Sequence, residues 1–210
     1  MKSIRTWLPL IGLFLAALLA LPLCEWMTVG PLGIQEFQDV ELLVGLVLVV
    51  FLIATLVAPV LMLDKKHRKN AIRLFLISGA TTGLMIASIP LGESVRMFAF
   101  ARLADRTEPL IRAIRAYESS HGPPPKDLDA LVPKHIAAIP GTGLRAYPRY
   151  SYVTGEQAKD YDDNPWALYV DTSSGIGNWD IFLYLPRQNY PRYGYGGGIE
   201  RVGDWAYVHE

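Results

Sequence analysis

The densest group of oxygen donors in the chain is Asp160, Asp162, Asp163 and Asn164, with Asp171 and Asp180 flanking the next loop. Calcium takes roughly six to eight oxygen ligands, so this cluster is the one place where a hard cation would find company. Its spacing is not that of an EF-hand, and a solvated turn ahead of Pro165 is the alternative. His121 and His135 are too far apart in sequence, with no Cys or Glu at ligand spacing, to make the convergent set that zinc needs. No Ser or Cys sits in a nucleophile elbow. The glycines at 194–198 do not follow a strand and open a helix, as a phosphate-binding loop would. These residues predict no enzyme and no resident cofactor, calcium at Asp160, Asp162 and Asp163 being the one exception to test.

The aromatic residues are the most unusual feature. Ten of the eleven tyrosines lie from Tyr147 onward, together with Trp166, Trp179 and Trp205. Exposed, such rings would stack on sugars or grip peptides. Buried, they would fill the core of a small sheet, which is the expected role in a domain that has no disulfide. Cys24 is the single cysteine, so no internal bridge can form. An inert buried thiol is expected, pairing with another subunit being the alternative.

These residues must be positioned by a chain that is split in character. It is 51% hydrophobic over 210 residues. Residues 1–92 hold seven Lys/Arg and five Asp/Glu, and the remaining 118 hold thirteen and fifteen. Neither half carries the charge of a nucleic-acid binder. Three apolar runs, Trp7–Leu23, Leu42–Leu63 and Leu74–Leu91, are long enough to cross a bilayer as helices. The bulky Leu21-Pro22-Leu23 ahead of Cys24 argues against cleavage or lipidation there, so an uncleaved anchor is expected. Within the third run Gly79 and Gly83 form a small-xxx-small pair that lets another helix approach closely. Packing within the same chain is the preferred reading, a partner helix the other.

Charge sets the expected direction. The loop between the second and third runs contains Lys65, Lys66, Arg68 and Lys69, while that between the first and second has Glu25, Glu36, Asp39 and Glu41 and no cation. The positive-inside rule then places the N-terminus in the cytoplasm and everything beyond about 93 outside. The spans show no ionisable residues facing one another, which weighs against a membrane-embedded enzyme or transporter accessory.

Residues 93–108 are good helix formers and predict a helical connector, with Thr107 capping a new turn before Pro109. Leu110, Ile111, Ile114 and Tyr117 then share one face of an amphipathic helix that ends at Gly122, before Pro123–Pro125. A short helix follows, with Leu128, Leu131 and Val132 inward. Strands are expected at about 149–154, 166–171, 179–185 and 204–209. Gly175 and Gly177 fall in a hairpin turn and 194–198 in a flexible loop. The domains are therefore 1–92 (three spans), 93–108 (connector) and 109–210 (an α+β domain).

The run Leu110 to Tyr117, then His121-Gly122-x-x-Pro125, then Leu128-x-x-Leu131-Val132-Pro133 resembles the globular start of type II secretion pseudopilins and type IV pilin-like proteins. The resemblance implies a long helix packed on an antiparallel sheet. Two departures stand against fibre assembly. The family's processing site is absent, since Gly92-Glu93 is followed by charge, and the family has one span rather than three. The expectation is a multi-pass protein of the bacterial cytoplasmic membrane, in contact with lipid, whose outer domain docks onto an envelope protein partner. The alternative is a glycan- or peptide-binding module whose face would be Trp166, Trp179 and Trp205.

Overall fold

The computed structural model describes residues 2–30, 33–34, 37–173 and 178–209. Three helices come first: α1 (Lys2–Val29), α2 (Phe37–Leu61) and α3 (Arg68–His121). All three are long and apolar enough to cross a membrane, with mean hydropathy over their most apolar windows of 2.3, 2.9 and 1.8. The helix is the form that satisfies every backbone amide internally where no water is available. The chain then divides into two compact units. One comprises 1–28 and 36–96; the other comprises 29–35 and 97–210.

In the first unit most of α2 and the outer faces of α1 and α3 present large apolar side chains such as Leu46, Val50, Leu56 and Leu76 to the surroundings. The inward face of α3 is small and hydroxylated instead. Ser78, Thr81, Thr82 and Ser88 are buried. Ser78, Thr81 and Ser88 donate to carbonyls of their own helix, at Leu74 (2.7 Å), Ile77 (2.8 Å) and Met85 (2.6 Å). Helices in hydrocarbon gain no hydrophobic drive from each other, so small faces that approach closely are how they pack.

The second unit is an antiparallel half-barrel. Its strands are β1 (Ser151–Thr154), β2 (Trp166–Asp171), β3 (Ile181–Tyr184), β4 (Tyr193–Gly194), β5 (Gly197–Val202) and β6 (Trp205–His209), in the order β1-β2-β3-β6-β5-β4. The register pairs Val170 with Phe182 and Phe182 with Tyr207, and Leu168 with Tyr184 and Tyr184 with Trp205. Alternation then puts these residues on one face, where residues 97–121 of α3 meet them. Phe100 stacks on Phe182 at 4.8 Å and meets Tyr207 at 5.1 Å. Farther along α3, Arg115 Nη2 donates to the Tyr184 hydroxyl (2.6 Å), and the Trp166 indole donates to Glu118 (3.0 Å). Phe100, Leu103, Leu110 and Ile114 are at most 1% exposed, each worth about 1.5–3 kcal/mol of burial. The opposite face carries a second small core of Ala167, Leu183, Leu185 and Val208, covered by Tyr161, Tyr190 and Tyr195.

Several expectations need correction. No new turn begins at Thr107: α3 runs unbroken through Pro109, and the Thr107 hydroxyl is buried, donating to Leu103 O (2.7 Å) and meeting the Tyr150 hydroxyl (2.9 Å). Pro109 and Asp105 are both exposed, so water can serve the carbonyl that proline leaves unbonded. The short helix is a single 3-10 turn, Asp129–Leu131, with Leu131 buried and Val132 exposed. Residues 194–198 are not a loose loop but the turn and start of the β4–β5 hairpin. Gly175 and Gly177 lie outside the described residues. Gly122, with φ +85°, ends α3 in the left-handed conformation that glycine allows.

Candidate functional site

The acid cluster follows the second 3-10 stretch, Gly155–Asp160. Asp162 and Asp163 both take positive φ, 51° and 55°, a conformation that Asp tolerates better than most residues. The loop's oxygens are already engaged by protein donors. Arg187 Nη1 donates to Asp163 O (2.9 Å), Asn189 Nδ2 donates to Asp162 O (2.9 Å), and the Tyr195 hydroxyl donates to the Asp162 carboxylate. Buried Asn164 ties the loop down, giving Nδ2 bonds to Tyr161 O (2.7 Å) and Asn189 Oδ1 (2.8 Å) and accepting from Arg187 N (3.0 Å). Asp171 is bound to Ser173 Oγ (2.6 Å), and buried Asp180 accepts from the Tyr207 hydroxyl. Among the described residues no group of three His, Cys, Asp or Glu is arranged to hold a metal. The arrangement is a hydrogen-bonded clasp between the loop and the segment 187–195.

The two histidines do come together, with ring centroids 5.9 Å apart. Both pack on Tyr117, His121 at 4.1 Å and His135 at 5.3 Å, so the trio closes the end of α3 by stacking. The three tryptophans are separated. Trp166 and Trp205 are buried at 0% and 2%, stacked on Tyr184 (5.6 Å) and Phe182 (4.8 Å) respectively. Trp179 alone is open, 75% exposed. No face made of all three exists, because β2 and β6 turn their tryptophans towards α3. Gly79 looks at Thr55 of α2, whose Cγ2 would sit 3.7 Å from an added Cβ, whereas among the described residues nothing beyond its own helix would lie within 4 Å of a Cβ added at Gly83. Cys24 is a buried free thiol.

The most concentrated buried charge was not anticipated. Glu25 belongs to α1 rather than to a loop, and it pairs with Arg96 of α3. Arg96 Nε donates to Oε1 (3.1 Å) and Oε2 (3.0 Å), and Nη2 to Oε1 (2.7 Å). The two side chains are 11% and 7% exposed. Gly92 makes room for them: a Cβ there would meet Leu21 Cβ at 3.3 Å and Glu25 Cγ at 3.4 Å. Glu41 of α2 lies within electrostatic reach of both partners, and its Oε1 is buried with no hydrogen-bond partner among the described residues. All three groups flank the apolar runs 7–23, 42–63 and 74–91 rather than lying within them, so the expectation that the spans themselves hold no facing ionisable residues stands beside a charge cluster just beyond their ends. The signal was present only as a lone acid and a lone arginine 71 residues apart, each ordinary by itself. A fork-to-carboxylate pair of this kind fixes register between two helices. With Glu41 within electrostatic reach of both, the pair gathers charge near the end of α1.

No protein-family model, no curated protein and no solved structure matches the chain.

Proposed function

We propose that this chain is a three-span protein of the bacterial cytoplasmic membrane that displays the half-barrel outside as a docking domain for envelope proteins, of the kind that serve secretion or pilus assembly. The observation that carries it is α3. Its 54 residues run without a break from the apolar unit into the sheet unit. Its buried positions repeat at three- and four-residue spacing throughout, as Ser78, Thr81, Met85, Ser88, Gly92, Arg96, Phe100, Leu103, Thr107, Leu110 and Ile114. A helix that anchors in lipid and then serves as the spine of an antiparallel sheet is what pilin-like domains are built on. The Gly122 turn, the buried Leu131 and the sheet that follows support that likeness. Three spans make extraction into a fibre costly, which favours docking over assembly. The basic loop of Lys65, Lys66, Arg68 and Lys69 supports an extracytoplasmic sheet domain. The sheet itself is filled on both faces, so a partner would meet its rim and loops.

Crosslinking in intact cells, followed by co-purification of the full-length protein, tests the proposal. Reproducible enrichment of secretion or pilus components is the expected result. A protein recovered without such partners would overturn docking and favour the glycan- or peptide-binding reading, which rests on exposed Trp179.

A further inference from the structure

Among the described residues of the sheet unit, the three most exposed large apolar side chains are gathered at one end. Phe98, Trp179 and Tyr193 are 63%, 75% and 79% exposed. Their positions follow from contacts within the unit. Phe100, one turn into it, stacks on Phe182 and meets Tyr207, while Arg115 and Glu118 reach Tyr184 and Trp166. α3 therefore enters at the end of the sheet where β3 begins and β6 finishes. Trp179 lies two residues before Ile181, roughly 7 Å further out along an extended chain. The register carries the same end across the sheet, from Ile181 to Val208 on β6, with His209 pairing Gly198 and Gly198 pairing Tyr193. Phe98 sits on α3 at this same end. Of the other large apolar residues this unit exposes, Ile34 belongs to the α1–α2 connection, and Val132 lies near the His135–Tyr117 stack. By contrast the far end exposes Ser120, His121, Lys126, Asp127, Glu156 and Gln157.

Two of the three exposed rings come with an arginine. The Arg102 guanidinium lies 5.3 Å from the Phe98 ring, and exposed Arg192 precedes Tyr193. Amphipathic rings interleaved with cations are the composition of the bilayer's headgroup layer, where indole and phenol sit at the polar boundary and arginine reaches phosphate. Single exposed apolar residues need no explanation, but here they share the end at which the chain is continuous with an apolar helix of bilayer length.

We propose that this rim, Phe98, Trp179 and Tyr193 with Arg102 and Arg192, rests in the headgroup layer of the membrane that α3 has just left. The half-barrel is then seated on lipid rather than held clear of it. The proposal rests on the spanning reading of the three helices. Its occupant is a lipid surface, because Met97, where the sheet unit begins, lies on α3 itself, shortly beyond the apolar run that ends at Leu91.

The test uses full-length protein in liposomes of phosphatidylethanolamine and phosphatidylglycerol. A nitroxide is attached at Trp179→Cys, Tyr193→Cys, Lys126→Cys or Leu52→Cys in a Cys24→Ala background. Electron paramagnetic resonance then compares collisions with oxygen, which concentrates in lipid, and with a water-soluble nickel chelate. Labels at 179 and 193 are expected to collide with nickel several-fold less, and with oxygen more, than the label at exposed Lys126. Values equal to those at Lys126 would overturn the seating, as would low collision with both agents, which means burial against protein. The label at Leu52, on the outward face of α2, separates the two failures. If it too behaves like Lys126, the spanning reading itself falls. If it reports lipid while 179 and 193 report water, only the seating falls.

Discussion

Replacing Arg96 with leucine removes the guanidinium that donates three hydrogen bonds to Glu25, and leaves the carboxylate where it was. Glu25 and Arg96 are 9% and 6% exposed, so water cannot take over the lost bonds. Breaking a buried pair from one side costs about 3–5 kcal/mol, because the remaining charge is uncompensated. The upper part of that range applies here, since Glu41 lies within electrostatic reach, with a buried oxygen that has no hydrogen-bond partner among the described residues, and loss of Arg96 would remove a positive charge that acts on both acids. Replacing both residues, as Glu25→Leu with Arg96→Leu, removes the charges together and should come within about 1–2 kcal/mol of the parent, or exceed it. The assay is reversible unfolding of the full-length protein in mild detergent, arranged as a double-mutant cycle, and the expected coupling is at least ~3 kcal/mol. Costs of the two single changes that simply add, or an Arg96→Leu penalty below about 1 kcal/mol, the range of an exposed pair, would refute the claim that this pair is desolvated and joins α1 to α3.

Three further outcomes follow from the sheet unit. Phe100→Ala should cost about 3–5 kcal/mol, the range for emptying a buried aromatic site, and should weaken near-ultraviolet circular dichroism as the Phe182–Tyr207 contact loosens; a cost under about 1 kcal/mol would mean that α3 is not the sheet's spine. Gly143→Ala should cost about 2–4 kcal/mol: Gly143 has φ +77° and an added Cβ would fall 0.9 Å from Arg106 Nη1, displacing the guanidinium from Thr142 O (3.2 Å). Gly203→Ala, also at positive φ but with nothing among the described residues within 4 Å of the added Cβ, is the matched control and should lose only the conformational part. At high pH the tyrosines decide stability. Burial raises the Tyr161 hydroxyl to about 12 and pushes Tyr150, Tyr152, Tyr184, Tyr190 and Tyr195 up as well. The folded state therefore holds protons that the unfolded chain releases near pH ~10, so their contribution is intact below that pH and is lost as pH climbs towards about 12. Tyrosinate absorbance should rise together with unfolding, and early ionisation of these six in a still-folded protein would contradict it.

What could be read from the chain followed the strength of the local signal. Three apolar stretches of bilayer length announce three helices whatever surrounds them, and the β-branched and aromatic runs at 166–171 and 205–209 announce strands. The ends of elements were harder, because they are set by partners far away in sequence. Glu25 reads as the start of a loop until Arg96 neutralises it inside a helix. Thr107-Glu108-Pro109 reads as a break, yet Phe100 before it and Arg115 and Glu118 after it are held by the sheet, and that packing overrides proline's local preference. Tyr193 to Gly198 reads as a glycine-rich loop, but β6 supplies the register that makes it a hairpin, with Arg201 lying 4.0 Å over the Tyr190 ring beside it. For the acid cluster, composition suggested a cation, while the bonds from Arg187, Asn189 and Tyr195 that occupy its oxygens come from residues more than twenty positions later. The three tryptophans of the sheet unit divided for a related reason: strand parity decides which face a ring takes, and of the three only Trp179 falls outside a strand.

The proposed topology puts the sheet unit and the basic loop on opposite sides of the membrane. Cysteine placed at Lys66 or Lys126, both exposed, in the full-length chain with Cys24→Ala, gives the most direct measurement when spheroplasts are treated with a membrane-impermeant maleimide. The account predicts that Lys126→Cys is labelled at once and Lys66→Cys only after lysis. Labelling of Lys66→Cys in intact spheroplasts with Lys126→Cys protected, or of both together, would contradict it.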